Sequence, residues 1–178
     1  LRAYFHYKSA DWPDNRPYPL AAWSAEELAK MPTYYIMDLD QNMAETVASY
    51  MPDRKQVARC NWLSEEELQV YSSTFEKTGF QGGLNWYRCA TSEPYQRELT
   101  LFANRCINVP ACFIAGRSDW GVYQKPGDLE KFKSSVCSQA PEIHLVKDAG
   151  HWVQQEQPAR VGQLIIEFLE PQRYSGHG

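Results

Sequence analysis

Apolar residues fall along this chain in two patterns, one helical and one of continuous short runs. From about residue 24 to residue 104 they recur at helical spacing, with capping residues between groups. Ser24 with Glu27 forms a capping box that opens a short helix through Lys30. Asn42 with Glu45 opens another, which Pro52 closes near Met51. Ser64 with Glu67 opens a third that carries Leu68, Tyr71 and Phe75 on one face and stops at Gly79. A fourth helix is expected over Pro94 to Ala103. After Arg105 the pattern changes. Val109 to Gly116 is a continuous apolar run closed by glycine, as in a strand of a parallel sheet buried on both faces. Asp128 to Gln139 predicts an amphipathic helix with Leu129, Phe132 and Val136 inward, and Glu142 to Val146 a second strand. Pro158 suits the first turn of a last helix whose buried stripe is Val161, Leu164, Ile165 and Phe168, with a frayed tail beyond Pro171. At the front, Leu1 to Tyr7 is read as a short aromatic strand. Three prolines between Asp11 and Pro19 make the next stretch a connection.

This order, one possible strand, four helices, then strand–helix–strand–helix, is α/β in its last third and asks for a parallel sheet. Two or three strands are too few for a sheet covered on both faces, so the pattern reads as part of a larger fold.

Composition narrows the functional classes. The 178 residues are 43% hydrophobic and 22% charged, which suits a globular chain rather than a disordered one. With 18 Lys and Arg against 22 Asp and Glu the net charge is -4, and no basic face for nucleic acid or an anionic membrane is expected. No run reaches the length of a membrane span, and the N-terminus has no signal-peptide pattern. Cys60, Cys89, Cys106, Cys112 and Cys137 are odd in number and contain no Cys-x-x-Cys, which argues against a disulfide framework or a zinc site. Reduced thiols in a cytoplasmic protein are the simpler reading. No metal or organic cofactor is implied, since no ligand cluster or glycine-rich phosphate loop is present.

The candidate chemistry sits at the ends of the two late strands. The first delivers Gly116-Arg117-Ser118-Asp119-Trp120 and the second Asp148-Ala149-Gly150-His151-Trp152. Strand C-termini face the ligand crevice in an open parallel sheet. An Asp after one strand is ordinarily a turn residue, and a lone His is ordinarily structural. Their order, acid then histidine on successive strand ends, is what marks them out as the last two members of a catalytic triad. Asp119 would hold the imidazole in one tautomer, and His151 would act as general base. Asp148 competes for the acid role, but its place in the same turn as His151 suits a surface residue better.

Two further stretches carry a family resemblance. Gly150-His151-Trp152, followed by Gln154, Pro158 and Val161, resembles the C-terminal block of epoxide hydrolases. Gly79-Phe80-Gln81-Gly82-Gly83-Leu84-Asn85-Trp86-Tyr87-Arg88 resembles the late cap segment of soluble epoxide hydrolases. Within it Tyr87 falls on the family's cap tyrosine. Tyr34, followed by Ala44-Glu45, resembles the segment of the second cap tyrosine, with Tyr35 one residue away as the alternative. The resemblance implies the C-terminal part of an α/β-hydrolase fold, two to three parallel strands with helices, plus a helical cap. Residues 1–23 would be a strand and connection into the cap, 24–104 the cap, 105–170 the core part and 171–178 a tail. It also implies a reaction. An aspartate opens a small apolar epoxide to an ester, Tyr34 and Tyr87 donate to the departing oxygen, and His151 with Asp119 activates water to release a vicinal diol. Trp86, Trp120 and Trp152 are expected as walls of the substrate pocket.

The resemblance also exposes a gap. No Gly-x-Ser-x-Gly elbow, nor one centred on Asp or Cys, occurs in the chain. His177-Gly178 reads as tail, not as an oxyanion loop. The family places both motifs before the cap. Their absence leaves three readings: the N-terminal half is a separate chain, the chain is a truncation, or it is a module that no longer catalyses. Other hydrolases on this scaffold, such as haloacid or haloalkane dehalogenases and ester hydrolases, remain alternatives, as does a non-catalytic fragment.

Overall fold

The computed structural model describes residues 1–175. His177-Gly178 lies outside the described residues. Seven helices come first: α1 (Arg2–Lys8), α2 (Ala25–Leu28), α3 (Met43–Ala48), α4 (Arg54–Arg59), α5 (Glu65–Thr78), α6 (Gln81–Thr91) and α7 (Glu93–Leu99). Then follow β1 (Cys112–Gly116), a 3-10 turn at Trp120–Val122, α8 (Asp128–Lys131) running into a π turn at Phe132–Val136, β2 (Glu142–Val146), α9 (Val153–Glu156) and α10 (Pro158–Ser175). Among the described residues no helix is long and apolar enough to cross a membrane.

The capping signals act as side-chain chemistry requires. Asn42 and Ser64 each accept from the third backbone N–H while Glu45 and Glu67 return a bond to the cap. Asp53 with Gln56 closes a further box that opens α4. Ser24 accepts from the Glu27 N–H, but the Glu27 carboxylate turns to the Ala21 N–H and to Lys30, so this cap is half a box.

β1 and β2 form a two-stranded parallel sheet, with Cys112 opposite Glu142 and Gly116 opposite Val146. Beyond it Ile107 makes a single parallel bridge to Cys137. β1 starts at Cys112, later than the apolar run, because Pro110 has no N–H to donate and Val109 stays exposed. The loops after the two strands cross closely. A Cβ on Gly116 would overlap the carbonyls of Gly150 and Ala149, and one on Gly150 would overlap backbone of Lys8 and Ser9.

Four expectations need correction. Leu1 to Tyr7 is helical, not a strand. Among the described residues no strand pairs with it, and a helix satisfies its own backbone while turning Ala3 and Tyr7 into one core and Phe5 against Tyr71 and Trp152. The helix from Asp128 is short, because Ser134 and Ser135 hydroxyls bond back to the Glu130 and Lys131 carbonyls and the turn widens; Val136 ends up exposed. Leu164 is the fully buried member of the α10 stripe, whereas Ile165 points outward. The chain stays helical past Pro171 to Ser175, carried by the strong helix formers before it.

Two cores result. One gathers Ala3, Tyr7, Leu20, Met31, Tyr34, Val47 and Trp120, so it joins α1 to the early helical segment and to the turn after β1. The other sets Val146 and Ala149 against Leu164 of α10. By contrast, α5 and α6 bury no residue fully.

Candidate active site

The C-terminal ends of β1 and β2 bring the acid and the histidine together. Asp119 caps the 3-10 turn by accepting from the Gly121 N–H at 2.9 Å. Its Oδ1 lies 3.2 Å from His151 Nδ1 and accepts from the Tyr35 hydroxyl at 3.1 Å. Burial opposes ionisation of Asp119. The hydrogen bond and charge of His151, then the Gly121 N–H and the Tyr35 hydroxyl, outweigh it and hold the carboxyl below its ordinary range. A carboxylate on Nδ1 leaves Nε2 as the nitrogen able to take a proton from water. Asp148 is exposed and holds a left-handed backbone with φ 54°; its carbonyl, not its carboxylate, is the atom engaged, by Gln157.

The loop bearing His151 is locked by a residue that sequence reasoning missed. Glu156, 7% exposed, accepts from the backbone N–H groups of Gly150 at 2.9 Å, Trp152 at 3.0 Å and Ala10 at 2.8 Å. It therefore grips the residues on both sides of His151. Burial raises its carboxyl above the ordinary range despite those bonds. The His151 N–H in turn donates to the Lys8 carbonyl at 3.0 Å. Asn15 ties the proline-rich excursion to the same place, donating to the carbonyls of Ser9 at 2.9 Å and Ser118 at 3.0 Å. A Glu five residues after a histidine is a signal the sequence did contain. Asn15 in a proline-rich loop offered none.

The aromatic residues divide. Tyr34 is buried, and its hydroxyl makes a long 3.5 Å bond to Asn15 Oδ1. Burial first, then the Asp119 charge, raises the phenols of both Tyr34 and Tyr35, so each remains protonated and able to donate. Trp152 packs on Phe5, Tyr4 and His151 and donates to the Phe5 carbonyl. Trp120 is buried in the core beside Asp119, its indole N–H without a partner among the described residues. Tyr87 and Trp86 are not brought to the acid–histidine pair by a direct contact: on α6 they are 66% and 75% exposed. Tyr87 nevertheless lies within electrostatic reach of Tyr4, whose phenol is raised by burial first and Tyr87 second.

Lys8 is the other group sequence reasoning passed over. It is buried, its ammonium 3.2 Å from the Tyr4 hydroxyl and over the rings of Tyr4, Tyr34, Tyr35 and Trp152 at 4.9–5.5 Å. Burial lowers its pKa to about 8, against a smaller upward pull from Asp119.

No family model matches the chain. Epoxide hydrolase A of Mycobacterium tuberculosis is 39% identical over 108 residues, 61% of this chain and 32% of its own length. Epoxide hydrolase 2 of Siraitia grosvenorii is 37% identical over 115 residues, 61% of this chain and 35% of its own. The structure of a laboratory-evolved variant of potato epoxide hydrolase superposes with a TM-score of 0.56 at 35% identity, covering 69% of this chain and 39% of the potato chain. The chain thus spans about a third of the length of the curated relatives it matches.

Proposed function

Since the chain is related in sequence and in fold to epoxide hydrolases of the α/β-hydrolase superfamily, we propose that it is the cap and C-terminal part of an enzyme that opens an epoxide to a vicinal diol. The observation that carries the reading is the acid–histidine pair at adjacent strand ends, Nδ1 to Oδ1 at 3.2 Å, in a chain similar over 108 residues to a named epoxide hydrolase. The nucleophile comes from polypeptide outside these 178 residues, on the same chain or on another. β1 has β2 on one side and, among the described residues, no strand on the other, which is where further strands of the sheet would add.

The reaction follows from the chemistry of each group. An aspartate oxygen attacks an oxirane carbon and the C–O bond breaks, leaving an alkoxide. Tyr34 and Tyr87 donate to that oxygen and one gives it a proton. Such a donor is worth roughly 3–4 kcal/mol by analogy with oxyanion holes. Tyr34 suits the role better than Tyr35, because its hydroxyl has only the long Asn15 contact to give up, whereas Tyr35 is committed to Asp119. Tyr87 reaches the oxygen by movement of α6, a helix with no fully buried residue. His151 then takes a proton from water, hydroxide attacks the ester carbonyl, and Asp119 balances the imidazolium charge while the diol leaves.

The test uses the complete polypeptide with its aspartate elbow, and styrene oxide in a single turnover in 18O-water. Attack of water on the ester carbonyl puts the label in the carboxylate, so the first diol is expected unlabelled. A labelled first diol refutes the ester route, and halide release from a haloacetate without any epoxide turnover assigns the scaffold to dehalogenation instead.

A further inference from the structure

At the opposite end of the strands from Asp119 and His151 lies a second cluster of chemistry-bearing side chains. Cys112 opens β1 and Glu142 opens β2, and the two are partners in the parallel register. Neighbouring strands lie about 4.8 Å apart, so registered partners project side by side on one face. His144, two residues after Glu142, returns to that same face. The Cys112 sulfur, a Glu142 carboxylate oxygen and a His144 ring nitrogen all lie within 4.8 Å of one another. His144 Nε2 is already 3.2 Å from Glu142 Oε2.

We propose that Cys112, Glu142 and His144 form a site for a borderline-soft divalent cation of the zinc class. Thiolate, imidazole and carboxylate together are the donor set such ions take. Tetrahedral bonds of about 2.0–2.3 Å place ligand atoms roughly 3.3–3.8 Å apart, so closure needs side-chain movement on the order of 1 Å. Three protein ligands leave a fourth position for water. Binding converts the Cys112 thiol to thiolate and releases one proton to solvent. Burial, followed by the charge of Glu142, holds that thiol above its ordinary range; a cation between them reverses the second effect. Cys112 and His144 are half-buried and Glu142 is exposed, so the site is open to an ion from solvent.

The site has a structural consequence. It joins the first residues of the two strands whose last residues lead to Asp119 and His151, so a bound ion staples β1 to β2 without touching the catalytic pair. The sequence spacing hid it, because Cys112 stands thirty residues before Glu142 and meets Glu142 and His144 only through strand register. The proposal is independent of the epoxide hydrolase reading.

Titrating the reduced, metal-free protein with Co2+ tests it. One equivalent is expected to give the near-ultraviolet band of thiolate-to-cobalt charge transfer, which Zn2+ then displaces. Cys112→Ser is expected to abolish the band although Cys60, Cys89, Cys106 and Cys137 remain. His144→Gln, at a half-exposed position that leaves the core intact, is expected to weaken affinity at least tenfold. A missing band in the unmodified protein, a band retained in Cys112→Ser, or unchanged affinity in His144→Gln overturns the site.

Discussion

Replacing Glu156 by alanine is the sharpest test of how the histidine loop is held. The carboxylate is buried and is the acceptor for the N–H groups of Ala10, Gly150 and Trp152. Alanine removes it and orphans three donors, that of Gly150 buried and those of Ala10 and Trp152 partly buried. Each unsatisfied buried donor costs about 1–3 kcal/mol, and relief of the carboxylate's own desolvation returns part of that, leaving a net loss of roughly 3 kcal/mol. At a urea slope of about 2 kcal/mol/M the midpoint falls by about 1.5 M. The pH dependence adds a second check. Burial raises the carboxyl of Glu156 in the folded state, so its contribution is fully present below the ordinary carboxyl pKa and declines as pH rises through the raised value. The gap between wild type and Glu156→Ala is therefore widest in acid and narrows toward neutrality. A midpoint shift below about 0.5 M, or a gap that widens as pH rises, refutes the reasoning.

Three other outcomes follow from the same geometry. Tyr87→Phe in the complete enzyme is expected to lower epoxide turnover by roughly 10²–10³; undiminished turnover removes Tyr87 from the mechanism. Asp119 is held below its ordinary range, so its stabilisation is present above the ordinary carboxylate pKa and is lost as pH falls through the depressed value. Acid titration of Asp119→Asn should be flatter than wild type below about pH 4, and parallel curves contradict the pair. Lys8 stands at about 8 against an ordinary 10.5, a penalty at neutral pH of up to about 3 kcal/mol. Lys8→Met should then be the more stable protein at pH 7, less the Tyr4 hydrogen bond and ring contacts it gives up. The difference should close between pH 8 and the ordinary lysine value, and a less stable Lys8→Met at pH 7 counts against a penalised buried ammonium.

Elements whose cause is local were legible in the sequence. Asn42 with Glu45 and Ser64 with Glu67 marked helix starts correctly, because a cap is settled within four residues. Glu142–Val146 was read to the residue. Asp119 and His151 could be paired in advance because strand ends converge by topology, and their 3.2 Å contact follows from that. What failed depended on neighbours. Leu1 to Tyr7 has aromatic residues suited to a strand, yet among the described residues no strand pairs with it, and it forms a helix. Lys8 carries no signal in the sequence, because its burial depends on the fold closing four aromatic rings around it. The role of Glu156 depends on the fold, which brings the distant Ala10 N–H to a carboxylate that also accepts from the nearby Gly150 and Trp152.

The two halves of the candidate machinery are held by very different amounts of structure, and this bears on how they work. Asp119 and His151 stand on adjacent strand ends, with Glu156, Asn15 and the Lys8 carbonyl fixing the backbone on either side. All of these supports lie within the described residues, so the acid–histidine pair is assembled by this chain's own contacts. Tyr87 rides on α6, which has no fully buried residue and continues directly into α7. Local opening free energy follows buried contact, so within these 178 residues α6 is held by less packing than α1. A rigid acid–histidine pair and a loosely held phenol suit a two-step reaction. In the proposed reaction, hydrolysis of the ester needs fixed geometry at His151, whereas the donor to the departing oxygen must admit the epoxide first and close on it afterwards.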